Sequence, residues 1–463
     1  MIHRKGYADM ELKQPDFKVF SDRDPIPVQR VAATFSDDRI EEDGNCYGIA
    51  VVDSDDPVSV EIRCERSLSA AKILPENRIA DAEICADCIR LRLTQHGTYV
   101  IEPQGYKDTP LVLFFNPAEK NTFAPDTPGI HYYGPGFHSP GRIELGSDET
   151  LYLASGAVVE ACIFAQGENI TVCGHGILTQ RSLPRKTVRH SLDFYKCRHV
   201  VLRDFITTDP CFWNVVLRDC SDVMIDNVKI CGGRMLNDDG LDICNSTDVT
   251  VRNCFIRAQD DIIAVKGLMD QLDLFQRDPD AVAACFAPDS RGVRDLLVEN
   301  CVFWCDIANV FRIGYECIAE AMERITVRNC DIVHVSDCYR KNEEYWTNTV
   351  WYLQASHRMP IRDLLFEDLR ICIDVPDLVM MKIVPMECPP WVDFGSIRNC
   401  TFRNIVVSGA GDMFRGDIFI AGNDPEHTVE NIRLENVTIN GKKIGHDSGN
   451  VFIGSFTNNI TFF

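Results

Sequence analysis

Apolar and polar residues alternate with period two along much of the chain, and one short pattern recurs: apolar-x-apolar-x-(Asn/Asp/Gly), then a further apolar residue. It reads Ile170-Thr-Val-Cys-Gly174, Val200-Val-Leu-Arg-Asp204, Val223-Met-Ile-Asp-Asn227, Val249-Thr-Val-Arg-Asn253, Leu296-Leu-Val-Glu-Asn300 and Ile325-Thr-Val-Arg-Asn329. It continues as Leu364-Leu-Phe-Glu-Asp368, Cys400-Thr-Phe-Arg-Asn404, Ile432-Arg-Leu-Glu-Asn436 and Ile460-Thr-Phe462. Period two marks a strand with one buried face. One such strand cannot shield its own face, so the units must stack. Their starts lie 23 to 47 residues apart with almost no helical periodicity. This predicts an all-β chain built on a right-handed parallel β-helix. A leucine-rich repeat would be tighter and dominated by leucine, and a propeller needs four strands per blade. The recurring Asn falls one above another in such a stack, where amides can hydrogen-bond along the ladder. Cys254, Cys301 and Cys330 each follow an Asn and form a small apolar column. A metal site there is disfavoured, because no histidine joins them.

The first 130 residues or so lack the repeat. Short alternating segments such as Val58-Ser-Val-Glu-Ile62 and Pro110-Leu-Val-Leu-Phe-Phe115 are punctuated by turn residues, which predicts an antiparallel β-sandwich. A Pro/Gly-rich stretch runs from Pro125 to Gly136. The expected division is a sandwich over 1–135 and a β-helix over 136–463, with coils starting near Gly141-Arg-Ile-Glu-Leu145.

Composition narrows the function. Hydrophobic residues are 45% and charged residues 25%, an ordinary globular balance. No stretch of about 18 apolar residues is present, so no membrane span is expected. The formal net charge of -22 argues against nucleic acid and acidic membrane surfaces as partners. The chain has 21 cysteines, an odd number, and no apolar leader. Reduced thiols in a cytoplasm are the expectation, or secretion if a leader was trimmed. Oligomeric state is not legible.

Chemistry gathers where the repeat is interrupted. One coil carries Asn237-Asp-Asp-Gly-Leu-Asp242 and the next carries Gln259-Asp-Asp-Ile-Ile-Ala-Val-Lys-Gly267. Asp239 and Asp260 are 21 residues apart, about one coil, so Asp239, Asp260 and Asp261 are expected on one lateral surface. Crowded carboxylates repel, and at least one pKa should rise. That supplies a general acid beside ionised partners able to activate water, the pair of roles glycoside hydrolysis needs. Asp and Gly in turns are commonplace; both motifs together, one coil apart, outweigh that reading. No cofactor and no metal are called for.

These motifs resemble the polygalacturonase group, glycoside hydrolase family 28, and its β-helix relatives. Asn237-Asp238-Asp239-Gly240 is similar to the family's N-T-D-G, with Asp for Thr. Gln259 through Gly267 is similar to its Q/N-D-D-x-I-A-x-K-x-G, and Pro210-Cys-Phe-Trp-Asn214 to its S-P-F-W. The resemblance implies an inverting single displacement, with Asp260 protonating the leaving oxygen and Asp239 and Asp261 holding and deprotonating water. It further implies about 6.5 to 9.5 Å between acid and base. Two features depart from the family. Asn309 stands where the G-H-G histidine belongs, and the R-I-K segment that grips galacturonate reads Asn348-Thr-Val-Trp-Tyr-Leu353. A neutral sugar is therefore expected.

Further substrate contacts are expected from Trp213, Asn237, Lys266, Asn309, Arg312, Glu316 and His334. Against each stands a plainer role: packing for Trp213, a surface ion pair for Arg312 and Glu316, a structural histidine for His334. His175 in Gly174-His-Gly176 reads as a turn. The insertion from Leu268 to Gly292, with the N-terminal domain, is expected to close one end of a cleft and make the enzyme exo-acting on short oligosaccharides. Competing functions are a β-helix lyase using calcium on the same aspartates, a fructosyl transferase, and a non-catalytic carbohydrate-binding protein.

Overall fold

The computed structural model describes residues 17–34, 45–79, 81–105, 109–120, 122–185, 187, 189–267, 290–317, 319–335, 349–356, 358–373, 375–383, 394–409 and 415–463. Apart from one short 3-10 turn, every regular element among them is a strand. No helix among them is long and apolar enough to cross a membrane.

The repeat does what its period requires. Ile170, Val200, Val223, Val249, Leu296, Ile325, Leu364, Cys400, Ile432 and Ile460 open the ten units and are successive Cα partners in one parallel sheet. All ten are buried or, at Ile460, partly buried against the same core. Two more parallel sheets complete each coil of a right-handed β-helix. One is built from strands such as Ile206–Thr208, Lys229–Cys231 and Phe255–Ala258. The other runs through Val215–Arg218, Leu241–Cys244, Ile263–Gly267, Phe311–Cys317 and Thr349–Gln354.

The fifth-position residues serve the coil in two ways. Asp204, Asn227, Asn253, Asn300, Asn329, Asp368, Asn404 and Asn436 hold φ between 50° and 74°, the left-handed conformation that Asn and Asp tolerate best. Their amides also bond between coils: Asn329 Nδ2 donates to Asn300 Oδ1 at 2.7 Å and Asn436 Nδ2 to Asn404 Oδ1 at 2.9 Å. A second left-handed residue precedes each strand core, from His199 through Asp222, Asp248, Asp295, Arg324, Asp363, Asn399 and Asn431 to Asn459. Asn459, Asn431, Asn399 and Asp363 form a second ladder at distances of 2.8 to 3.1 Å. Cys254, Cys301 and Cys330 stack inside as expected, the Cys301 amide donating to Cys330 Sγ at 3.4 Å. Every cysteine among the described residues is a free thiol.

The N-terminal domain is two five-stranded sheets face to face. One is wholly antiparallel; the other contains a single parallel pair, Cys46–Asp53 with Leu111–Asn116. Leu111–Asn116 is buried on both faces for a reason. Leu111, Leu113 and Phe115 fill the sandwich core, whereas Val112 and Phe114 pack on the β-helix beside Ile206, Phe255 and Trp304. The first strand of the helix, Ile130–Tyr133, lies upstream of the Gly141–Leu145 start that the sequence suggests. Its four residues are half-buried, so it carries no clear apolar alternation.

Candidate active site

The aspartates lie in the turns that enter the third sheet. Backbone bonds stack these turns coil on coil: Asn214 N donates to Asp239 O (2.9 Å), Gly240 N to Asp261 O (2.8 Å) and Ile262 N to Asn309 O (2.9 Å). Gly240 makes the close passage possible, since a Cβ there would sit 2.4 Å from Ile256 Cγ2 and 2.7 Å from Ile262 O. The result brings one carboxylate oxygen each from Asp239, Asp260 and Asp261 within 4.8 Å of one another. The single lateral surface expected from the spacing is present. Adjacent coils are one strand spacing apart, and that brings the nearest oxygens this close.

Each carboxylate is held differently. Asp260 accepts from the backbone N–H of Asp261 (3.0 Å) and of Asn237 (3.2 Å). Asp261 accepts from Asn309 twice, backbone N–H at 3.0 Å and Nδ2 at 2.8 Å. Asn309 is itself fixed by Thr349 N, which donates to its Oδ1 at 3.2 Å. Asp239 lies 3.4 Å from the Lys266 ammonium through one oxygen, and its other oxygen is buried without a hydrogen-bond partner among the described residues. Lys266 also pairs with Asp242 at 2.9 Å and sits 3.5 Å above the Trp213 ring.

Burial dominates the proton affinities. Asp239 is pushed well above the ordinary carboxylate range by burial, then by Asp242, with Lys266 opposing. Asp261 is raised to about 6 by burial and by the charge of Asp260, while Arg312 and Asn309 pull it down. The rise expected from crowding is therefore found, with desolvation as its larger cause.

The other expected contacts divide. Asn237, Lys266 and Asn309 are at the cluster, each touching an aspartate. Trp213 is there too, but only 5% exposed, stacked on Phe212 and His190 beneath the Lys266 ammonium. It supports the lysine and is no open sugar platform. Arg312 is buried one coil on, over the Tyr352 ring at 3.7 Å, with Nη2 donating to Gln354 Oε1 at 2.6 Å. It is not a surface ion pair, and its Nη1 has no partner among the described residues. His334 belongs elsewhere. It pairs with buried Glu102 of the sandwich and packs on Trp304, at the interface between the two domains; the strand that carries it faces the sandwich, not the aspartates. His175 is a turn residue bonded to Asp53 at 2.9 Å. The Glu316 side chain and residues 268–289, most of the expected cleft-closing insertion, lie outside the described residues.

Two residues in the cluster escape the motif reading. Asp242 is the counter-ion of Lys266. The strand period carries the signal: between buried Leu241 and Ile243 of the core, Asp242 must point out onto the catalytic face. Asp238 is fully buried and accepts from the backbone on two coils.

Three crowded carboxylates on the flank of a β-helix, with one lysine among them, suit acid–base cleavage of a glycosidic bond, and comparison with known proteins agrees. Residues 163–277, which hold Asp239, Asp260, Asp261 and Lys266, match the family described as glycosyl hydrolases family 28. The resemblance read from the motifs is borne out over these coils, which match a family of glycoside hydrolases. No curated protein matches the chain. Among solved structures, Dex49A from Penicillium minioluteum superposes with a TM-score of 0.56 at 13% identity, over 98% of this chain and 96% of that one. The family 28 exopolygalacturonase of Yersinia enterocolitica gives 0.52 at 14% identity, over 97% and 92%. The exopolygalacturonase of Thermotoga maritima gives 0.50 at 14%, over 67% and 78%. At such identities these likenesses speak for the fold alone.

Proposed function

We propose that the protein hydrolyses a glycosidic bond with Asp239, Asp260 and Asp261. The observation that carries this reading is the convergence of their oxygens within 4.8 Å beside one lysine. Mutual repulsion and burial keep a proton on the cluster. The three carboxyls titrate together, and the proton they share passes to the leaving oxygen through Asp260. Asp239 and Asp261 orient the attacking water and accept its proton, with Lys266, Asn309 and Arg312 offsetting the charge. Turnover of a panel of aryl glycosides and oligosaccharides tests this, comparing wild type with Asp260→Asn and Asp239→Asn. Full activity in either folded variant sinks the assignment. An unsaturated, ultraviolet-absorbing product and sensitivity to chelator point to a lyase instead.

Single displacement with inversion is the course that the resemblance implies. Proton NMR of the first-formed anomer tests it, and retention of configuration overturns it.

A neutral sugar is the substrate we favour. The outward positions next to Arg312 on the following coil are Tyr352 and Gln354, not a basic pair, and the cluster carries five carboxylates against Lys266 and Arg312. The unpartnered Arg312 Nη1 supports the alternative, an acidic group in the substrate. Matched galactosides and galacturonides separate the two. Exo action is the finer expectation, supported by the sandwich, which grips Gly232–Arg234 just ahead of Asp238 and Asp239. Release of internal fragments from a polymer overturns it.

A further inference from the structure

We infer that Asp238 is a positioning residue whose carboxylate ties two successive coils together and so sets the placement of Asp239 against Asp260. The inference rests on the hydrolase reading above. One Asp238 oxygen accepts from Gly233 N at 2.7 Å, Arg234 N at 2.9 Å and Met235 N at 3.5 Å. The other accepts from Gln259 N at 2.6 Å and Asp260 N at 3.4 Å, one coil further on. One side chain thus holds the loop preceding Asp239 and the very residues that open the Asp260-Asp261 turn. The side chain is 0% exposed, so water cannot substitute for these bonds. Both oxygens face only N–H donors, so an ionised carboxylate fits the cradle and a neutral amide does not.

The far side of the clamp is equally filled. The carbonyls of Gly232, Gly233 and Arg234 accept from the sandwich: Tyr47 Oη at 3.0 Å, Thr34 N at 2.7 Å and Thr34 Oγ1 at 3.1 Å. The segment is gripped through its N–H groups by Asp238 and through its carbonyls by the N-terminal domain. There is no room for slack: a Cβ on Gly232 would lie 2.7 Å from Arg257 O and 3.2 Å from Asp238 Oδ2. Burial lifts the Asp238 carboxyl to about 7, with the N–H groups of Gln259, Gly233 and Arg234 opposing. The Asp that replaces the Thr of the N-T-D-G pattern thereby acquires a structural role, since it bridges two coils with two oxygens where a hydroxyl offers one.

The test uses the full chain with Asp238→Asn and Asp238→Thr. Asp238→Asn keeps the shape but turns an amide NH2 onto N–H donors of one coil or the other. Expected is a loss of about 100-fold in kcat with KM within about threefold, as for a small misplacement of reacting groups. Hydrogen exchange of peptides covering 233–235 and 259–260 should quicken in the same variant. Asp238→Thr, with one acceptor left, should lose about tenfold, and it carries both readouts if Asp238→Asn does not fold. Wild-type kcat, or unchanged exchange in a folded variant, overturns the inference. Exchange needs no substrate, so it still decides if the wild type proves inactive on every sugar; an inactive wild type counts against the hydrolase reading alone.

Discussion

Along the sheet of ten repeat units, polar side chains at the strand ends find partners one coil away: Asn329 meets Asn300, Arg328 meets Glu299 at 2.7 Å, Arg252 meets Asp226 at 2.8 Å. Two sheets further round the same coils, Asp239 and Asp261 are buried among like charges, and Asp239 and Arg312 each keep an atom without a partner among the described residues. The first face is satisfied and repetitive. The second carries unmet electrostatic demand that a substrate and a water can meet, and it stays assembled because the first face fixes the coil spacing.

The largest expected effect removes the chemistry while sparing the scaffold. Asp260→Asn should lower kcat/KM by about 10²- to 10⁴-fold with thermal unfolding little changed. Lys266→Met comes next, because it strips the cation shared by Asp239 and Asp242. Breaking such a buried pair costs about 3 to 5 kcal/mol, so chemical denaturation should show a clear loss of stability along with activity. The pH dependence should then set the two faces against each other. Asp261 at about 6 must be ionised to act on water, so activity should fall as pH drops through about 6. The same raised carboxyl, with Asp377 also at about 6, binds protons more tightly folded than unfolded. Their contribution to stability is therefore gained as pH falls from about 6 towards 4. A midpoint of unfolding that rises while the rate falls would bear this out; parallel decline would break the contrast. The smallest effect belongs to the ladder. Asn329→Ala should cost about 1 to 3 kcal/mol of stability, for the bond and the left-handed residue lost, and leave kcat unchanged.

The contrast also explains what could be read from the letters. The ten units state their register because a strand with one buried face can be placed only one way. The aspartate turns were legible because two acidic motifs one coil apart have no structural reason to recur together. Trp213 and His334 were not, because burial against Lys266 and Glu102 depends on what the third dimension brings up from other coils and from the sandwich. Asp238 was hidden in plain view: adjacent to Asp239, it looks like a second acid, and only the inward direction of its side chain reveals N–H donors on two coils.

The paired left-handed residues that bracket each repeat strand bear on how such a molecule diversifies. Because each strand is measured off between two fixed kinks, such as Asp248 and Asn253 or Asp295 and Asn300, length changes are channelled into the connections between sheets. Beyond residues 268–289, Arg294–Glu299 keeps step with the neighbours on both its sides, whereas Ile263–Gly267, just before them, slips register against Phe311–Cys317 between Val265 and Gly267. Descent with insertion can thus rework specificity loops freely while the repeat strands keep their alignment.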